Sequence, residues 1–416
     1  MPRRHAIVIA VDGLRASALG AYGNTTYATP ALDALAAQSL LIDWMWCNGP
    51  GMEDFYRAAW FGEPPKIAPA GVDQRRQRPL LELLEQAGVA SSLTTDDPTI
   101  AGSAEQLSLT EVRRIDVAGD LPAGSIADTA LAQLFAIAID QVAAWAEGEA
   151  AGAAVRPQLL WLHARGFHAA WDAPRELRQQ LLEEDELVAA DFVVPPGAAR
   201  VQDPDELLQF RAAYAAQAMV LDACVEALMS ALGECGLDRQ PLVVLVGCRG
   251  FALGEHGLVG GAVRSLYSEV LQVPCLIRQP NAEAPPPRTA RLAQPHDLYA
   301  LVRDWFDADA GELSAERSWL LTPHAAAAPP PLFVYAEGAD GEQALRTPAW
   351  LLRRPPGAPA ATAAIELYAK PFDRWDANEV AARRPDVAER LLAILDAGPV
   401  GQPLASLDAD LIEPTG

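Results

Sequence analysis

Apolar runs alternate with amphipathic stretches along the chain, and this alternation predicts an α/β protein. Residues 6–14 are apolar except for Asp12 and Gly13, as expected for a strand covered on both faces of a parallel sheet. Residues 30–40 put Leu32, Leu35, Ala36 and Leu40 at helical spacing, behind Thr29 as a capping residue and with Pro30 in the first turn. A short apolar strand follows over 41–46. Further on, the pattern predicts a helix over 80–89 stopped at Gly88, a short strand before 94–97 and a long helix over 126–146. Residues 157–163 read as another buried strand. A long helix follows over 205–236, with Tyr214, Met219, Leu221 and Val225 recurring on one side. A buried strand over 241–247 and a helix over 295–306 complete this part.

Between these elements, 65–78 read as a polar loop and 179–197 as an acidic insertion. Residues 325–331 read as a low-complexity linker stiffened by three prolines. Beyond it, 332–335, 344–353 and 365–368 predict a small antiparallel sheet, covered by a helix over 385–395. The predicted architecture is therefore α/β: a large mixed, mostly parallel sheet flanked by helices over residues 1–325, with a smaller α+β subdomain over 326–416.

Composition narrows the function. The chain has 416 residues, 50% of them apolar and 21% charged, enough to bury a substantial core. A net charge of -23 argues against nucleic acid as a partner. The first strand starts within a few residues of Met1, so no secretory leader is expected. The nearest candidate for a membrane span, 130–145, contains Asp140, so no membrane partner is expected either and the predicted location is cytoplasmic. Cys47, Cys224, Cys235, Cys248 and Cys275 are scattered without metal-type spacing and read as buried free thiols.

Ligand sites in parallel sheets lie beyond the carboxyl ends of the strands. Asp12, at the end of the first strand, therefore stands either where chemistry is placed or simply at the opening of a turn. Around it, the segments Val11-Asp12-Gly13-Leu14-Arg15, Leu19-Gly20-Ala21-Tyr22-Gly23-Asn24 and Ala28-Thr29-Pro30-Ala31-Leu32-Asp33 resemble the opening of the sulfatase family in the alkaline-phosphatase superfamily. The resemblance continues through 253–258 and 267–278 into the carboxy-terminal part, spanning nearly the whole chain.

This resemblance implies an alkaline-phosphatase-like fold and a set of site positions that the sequence fills unusually. The family carries two successive Asp metal ligands after its first strand; here they are Asp12 and Gly13. After the 241–247 strand it carries Asp and then His or Asn; here they are Cys248 and Arg249. The family's nucleophile, a Cys or Ser converted to formylglycine, is followed by Pro at the second position, Arg at the fourth and Gly five further on. Aligning on Arg57 and Gly62 puts Glu53 in the nucleophile's place and Phe55 in that of Pro. Cys47 lacks the same followers. The slot of the family's Lys after the His-Gly element falls near Gly261. His168 matches the His that contacts the anionic ester, and His256 is a second candidate anion contact.

Each position has a structural alternative. Glu53 and Asp54 also suit a helix start, His168 and His256 also suit loop-holding roles, and Arg249 also suits solvent. A hard cation needs about six to eight oxygen ligands, and Asp12 alone is kept among the four usual positions. The expectation is that Arg249 occupies the metal seat and pairs with Asp12, with Glu53 or Asp54 joining it, so no metal or other cofactor is expected. Three readings follow. In the first, the chain is a pseudoenzyme with a vestigial site at Asp12, Glu53, Arg57, His168 and His256 that binds a small ligand or a protein partner. In the second, it is a divergent sulfate or phosphate ester hydrolase in which calcium or zinc is held by rewired ligands among Asp12, Glu53, Asp54, His168 and His256. In the third, it is a structural assembly partner.

Overall fold

A computed structural model describes residues 5–68, 77–105, 107–116, 121–151, 156–182, 187–238, 240–280, 287–308, 318–321, 331–357, 365–397 and 408–413. In chain order the elements begin with β1 (His5–Asp12), α1 (Pro30–Ala37), β2 (Leu40–Trp46), α2 (Met52–Phe61), α3 (Leu80–Gln86), β3 (Ala90–Thr95), α4 (Pro98–Ala104) and β4 (Glu111–Arg114). Next come α5 (Ala130–Ala150), β5 (Gln158–Ala164), α6 (Arg175–Gln179), α7 (Pro204–Glu234), β6 (Leu242–Arg249), β7 (Ala252–Leu253) and β8 (Val259–Gly260). Then follow α8 (Ser268–Leu271), β9 (Gln272–Val273), β10 (Cys275–Arg278), β11 (Arg288–Ala293) and α9 (Pro295–Trp305). The carboxy-terminal part holds β12 (Val334–Glu337), β13 (Gln343–Arg346), β14 (Trp350–Arg354), β15 (Glu366–Ala369), α10 (Pro385–Ala397) and α11 (Ala409–Ile412).

The main sheet has nine strands in the order β11-β2-β10-β6-β1-β5-β3-β4, with β9 pairing to β2. Strands β6, β1, β5, β3 and β4 are mutually parallel, while β10 runs antiparallel to both its neighbours. Side chains alternate across a strand, so β1 feeds two cores. Ile7, Ile9 and Val11 pack with buried residues of α1, α5 and α7 on one face. Ala6, Val8 and Ala10 pack with those of α2, α3 and α9 on the other. The predicted two-sided burial of β1 is thus met: every residue of the strand is buried.

The predicted antiparallel sheet is present with four strands in the order β12-β13-β14-β15, residues 344–353 forming two strands of it rather than one. One face carries Tyr335, Leu345, Leu352 and Leu367 against α10. The other gives Val334, Ala336, Ala344, Leu351 and Tyr368 to the core beneath the main sheet.

Several local expectations need correction. Thr29 does not cap α1 with its side chain; its hydroxyl accepts from the N–H of Gly20 at 3.0 Å. The strand predicted over 241–247 continues to Arg249, which carries Cys248 and Arg249 on the sheet itself. Helix α7 is long and apolar enough to cross a membrane by length and composition, although the sequence placed the nearest such stretch at 130–145; 61% of its most apolar window is buried inside the protein. The 325–331 linker and the 325/326 boundary lie mostly or wholly outside the described residues, as do 69–76 of the predicted loop and 183–186 of the acidic insertion.

Candidate functional site

The candidate site lies at the carboxyl ends of β1, β5 and β6. Asp12 has the strand parity of Ala10 and projects to the α2 side. Without an irregularity, the register of β6 would place Arg249 on the opposite face. Between Val11 and Asp12 the pairing slips, so that Val11 faces Gly247 while Asp12 faces Arg249, with Cys248 as the extra residue. Cys248 keeps the parity of Val244 and Val246 and is fully buried in their core, while the slip sets Arg249 beside Asp12.

Arg249 grips Asp12 with the side-on edge of its guanidinium. Nε donates to Oδ1 at 2.8 Å and Nη2 to Oδ2 at 3.0 Å, a bidentate, charge-assisted pair. The pair is enclosed: side-chain exposure is 3% for Asp12 and 11% for Arg249. Burial works against ionisation of Asp12, but the charges around it win and hold its carboxyl below the ordinary range. Burial likewise works against the Arg249 cation and is outweighed by Asp12. His168 stands 3.8 Å from Asp12 Oδ1 through Nε2. Burial lowers its pKa to about 4, so near pH 7 the imidazole is neutral and Arg249 is the standing counter-charge.

The loops pack tightly around His168. A Cβ on Gly13, whose φ is +77°, would sit 2.8 Å from both His168 Cδ2 and Phe167 Cβ. One on Gly261 would sit 2.3 Å from His168 Nδ1. The ring therefore fills the space that a side chain at either position would need.

The other expected members of the site do not gather here. Glu53 is exposed in the first turn of α2, while Asp54 accepts from the Gly51 N–H at 3.0 Å and from Arg57 Nη2 at 2.6 Å. Neither Glu53 nor Asp54 bonds Arg249, which instead sends Nη1 to the Pro50 carbonyl at 3.4 Å; the expected third partner is thus a backbone oxygen. Arg57 is 59% exposed, in a surface ion pair. His256 faces Glu269 Oε1 through Nδ1 at 2.7 Å and the Asp376 carbonyl through Nε2 at 3.0 Å, stacked on Tyr267 at 3.5 Å. Both of its nitrogens face acceptors, which favours the imidazolium. Burial opposes that charge, but Glu269 outweighs it and raises the pKa. His256 ties a loop to the carboxy-terminal part. Among the described residues, no three His, Cys, Asp or Glu side chains converge as a metal-binding set.

Sequence reasoning missed a polar chain beneath Asp12. Tyr56 of α2 lies 2.7 Å from His163 Nδ1 through its hydroxyl, which also accepts from Trp161 Nε1 at 3.3 Å. Cys248 Sγ is 3.9 Å from the same His163 nitrogen, and Cys47 Sγ donates to the Cys248 carbonyl at 3.1 Å. Burial lowers His163 to about 4 and pushes the Cys47 and Cys248 thiols up, so both cysteines are protonated and poor nucleophiles at pH 7. Strand parity alone would have placed His163 beside Ala10; nothing in the sequence links it to Tyr56.

A cleft of about 520 Å³ adjoins the pair at Pro50 and is lined by Asn48, Pro50, Glu53, Arg57, Lys66, Arg264 and Glu337, among others, but by neither Asp12 nor Arg249. Arg264 Nη1 donates to the Pro50 carbonyl at 3.0 Å, so two guanidiniums meet at one oxygen on the cleft floor. Lys66 pairs with Glu337 at 2.8 Å across the rim.

The sequence model of the family described as Sulfatase matches residues 4–308. Iduronate 2-sulfatase of Mus musculus is 29% identical over 127 residues, a segment covering 30% of this chain and 22% of that protein. Among solved structures, a phosphonate monoester hydrolase of Agrobacterium radiobacter superposes with a TM-score of 0.70 at 16% identity, over 95% of this chain and 96% of its own. A phosphonate monoester hydrolase from Silicibacter pomeroyi gives 0.67 at 16% identity over 94% of each chain. A 2-O GAG sulfatase gives 0.68 at 16% identity, over 95% of this chain and 91% of its own. With its sequence matched from the first strand to the end of α9 and its fold shared along nearly the whole chain, this protein belongs to the sulfatase family.

Proposed function

We propose that this chain is a non-catalytic member of its family, a pseudoenzyme that binds a small polar ligand in the cleft joined to the Asp12–Arg249 pair through the Pro50 carbonyl. The observation that carries the reading is the bidentate Asp12–Arg249 pair. A hard divalent ion needs about six to eight oxygen ligands, several of them carboxylates. At the tip of β1 a single carboxylate is spent on both oxygens by a cation that stays charged at any working pH. These residues do not fit such an ion.

The second support is that, among the described residues, none of the sequence's nucleophile candidates is placed to attack at the site. Cys47 and Cys248 are buried thiols, and Glu53 stands in solvent at a helix start. Among the described residues lining the cleft, Glu53 and Arg264 form no ion pair, and these supply opposite charges for a polar ligand. That ligand and the family's ester substrates need not be the same.

Turnover assays on protein purified without chelators test the reading. Aryl sulfate, aryl phosphate and aryl phosphonate esters are expected to show no hydrolysis above buffer, with or without added calcium or zinc. Turnover that is abolished by Asp12→Asn and dependent on added metal would return the chain to the hydrolases, with zinc then held by a rearranged set of carboxylates and imidazoles.

A further inference from the structure

A second guanidinium lies at the seam between the carboxy-terminal sheet and the main sheet. Arg346 ends β13 on the face of Ala344, which points to the main core, and it is 0% exposed. Its Cζ lies 4.7 Å from the centre of the Trp44 ring on β2, and its Nη1 donates to the Thr347 carbonyl. Nε and Nη2 are buried and meet no acceptor among the described residues. These two nitrogens form the side-on edge of the fork, the edge with which Arg249 holds both oxygens of Asp12. Among the described arginines with buried unpartnered nitrogens, only Arg346 presents both atoms of that edge.

Local charge sharpens the point. Burial lowers the Arg346 pKa only to about 9, so the group is a cation at pH 7. The carboxylate that bears on it is Asp376, itself 2% exposed, but Asp376 is already spent. One of its oxygens pairs with the buried Lys370 ammonium, and the other accepts from the Ser268 N–H at 2.7 Å. Two buried cations therefore share one buried carboxylate. Buried charges are kept paired because isolating an ion from water costs far more than a neutral hydrogen bond returns.

We propose that the Nε–Nη2 edge of Arg346 is a binding site for a small monovalent anion, chloride in the cell. The anion lies in the plane of the guanidinium, held by both N–H groups, while Trp44 covers the guanidinium face. A halide suits the place because it accepts from two donors and has no donor of its own to satisfy. Its binding neutralises the surplus charge and fixes β13 against β2.

Thermal unfolding of the full chain at constant ionic strength, with sodium gluconate exchanged for sodium chloride, tests this. The wild type is expected to gain about 2 °C along a saturating curve, with bromide and nitrate acting like chloride and gluconate being too large to enter. Arg346→Met loses the anion-specific gain. Should that variant fail to fold, crystals of the wild type grown in bromide decide, with an anomalous peak expected within hydrogen-bonding reach of Nε and Nη2. Identical melting in chloride and gluconate, or a water in place of bromide at that edge, overturns the proposal.

Discussion

Asp12 and Arg249 carry the account at the scale of single residues. Removing one member of a buried, hydrogen-bonded ion pair strands the other, at a cost of about 3–5 kcal/mol, whereas replacing both by apolar groups is close to neutral. Arg249→Met should therefore lower stability in urea unfolding by about that amount, and Asp12→Leu added to it should recover most of the loss. The pair also has a pH signature. The folded carboxyl titrates below its unfolded value of 3.8, so its stabilisation is complete above that value and is lost as pH falls through the folded pKa. Wild type and Arg249→Met should accordingly converge in stability in acid, as acid unfolding followed by circular dichroism would show. Arg249 could be read from the sequence because it sits next to the end of an unmistakable strand. Tyr56 and His163 could not, because their contact joins residues 107 apart through the docking of α2, which no local pattern records.

Helices and loops decide what the site can become. Gly13 adopts a left-handed φ of +77°, and any side chain there meets Phe167 and His168 at 2.8 Å. Gly13→Asp should destabilise the fold without creating a metal site, a result that calcium-dependent melting of the variant checks. Glu53 and Asp54 stand at a helix start for an equally local reason. Gly51 opens α2, and carboxylates in a first helical turn favour its exposed N–H groups. His256 gives a titration of the opposite sign to Asp12. Its folded pKa lies above 6.5, so the tie to Glu269 and Asp376 stabilises fully below about pH 6.5 and fades as pH rises through the raised value. His256→Gln should cost stability at pH 6 and little at pH 9, measured by thermal unfolding in matched buffers.

Across the whole molecule the architecture was legible because a buried parallel sheet writes continuous apolar runs into the chain. Residues 6–14, 157–163 and 241–247 each announce a central strand. The register slip at Cys248 was not legible, since it changes no residue type, yet it places Arg249 on the side of Asp12. Helix α7 shows the converse limit. Its apolar length satisfies a membrane criterion, while most of that surface is spent on the core. A family fold retained along nearly the whole chain does not by itself retain the chemistry, so the central claim has to be tested on the intact protein. Elemental analysis of protein purified without chelators, joined to calcium-dependent melting of the same sample, does so most directly. The account predicts substoichiometric calcium and zinc and a melting temperature indifferent to calcium. A stoichiometric ion whose removal lowers the melting temperature of the wild type would contradict it.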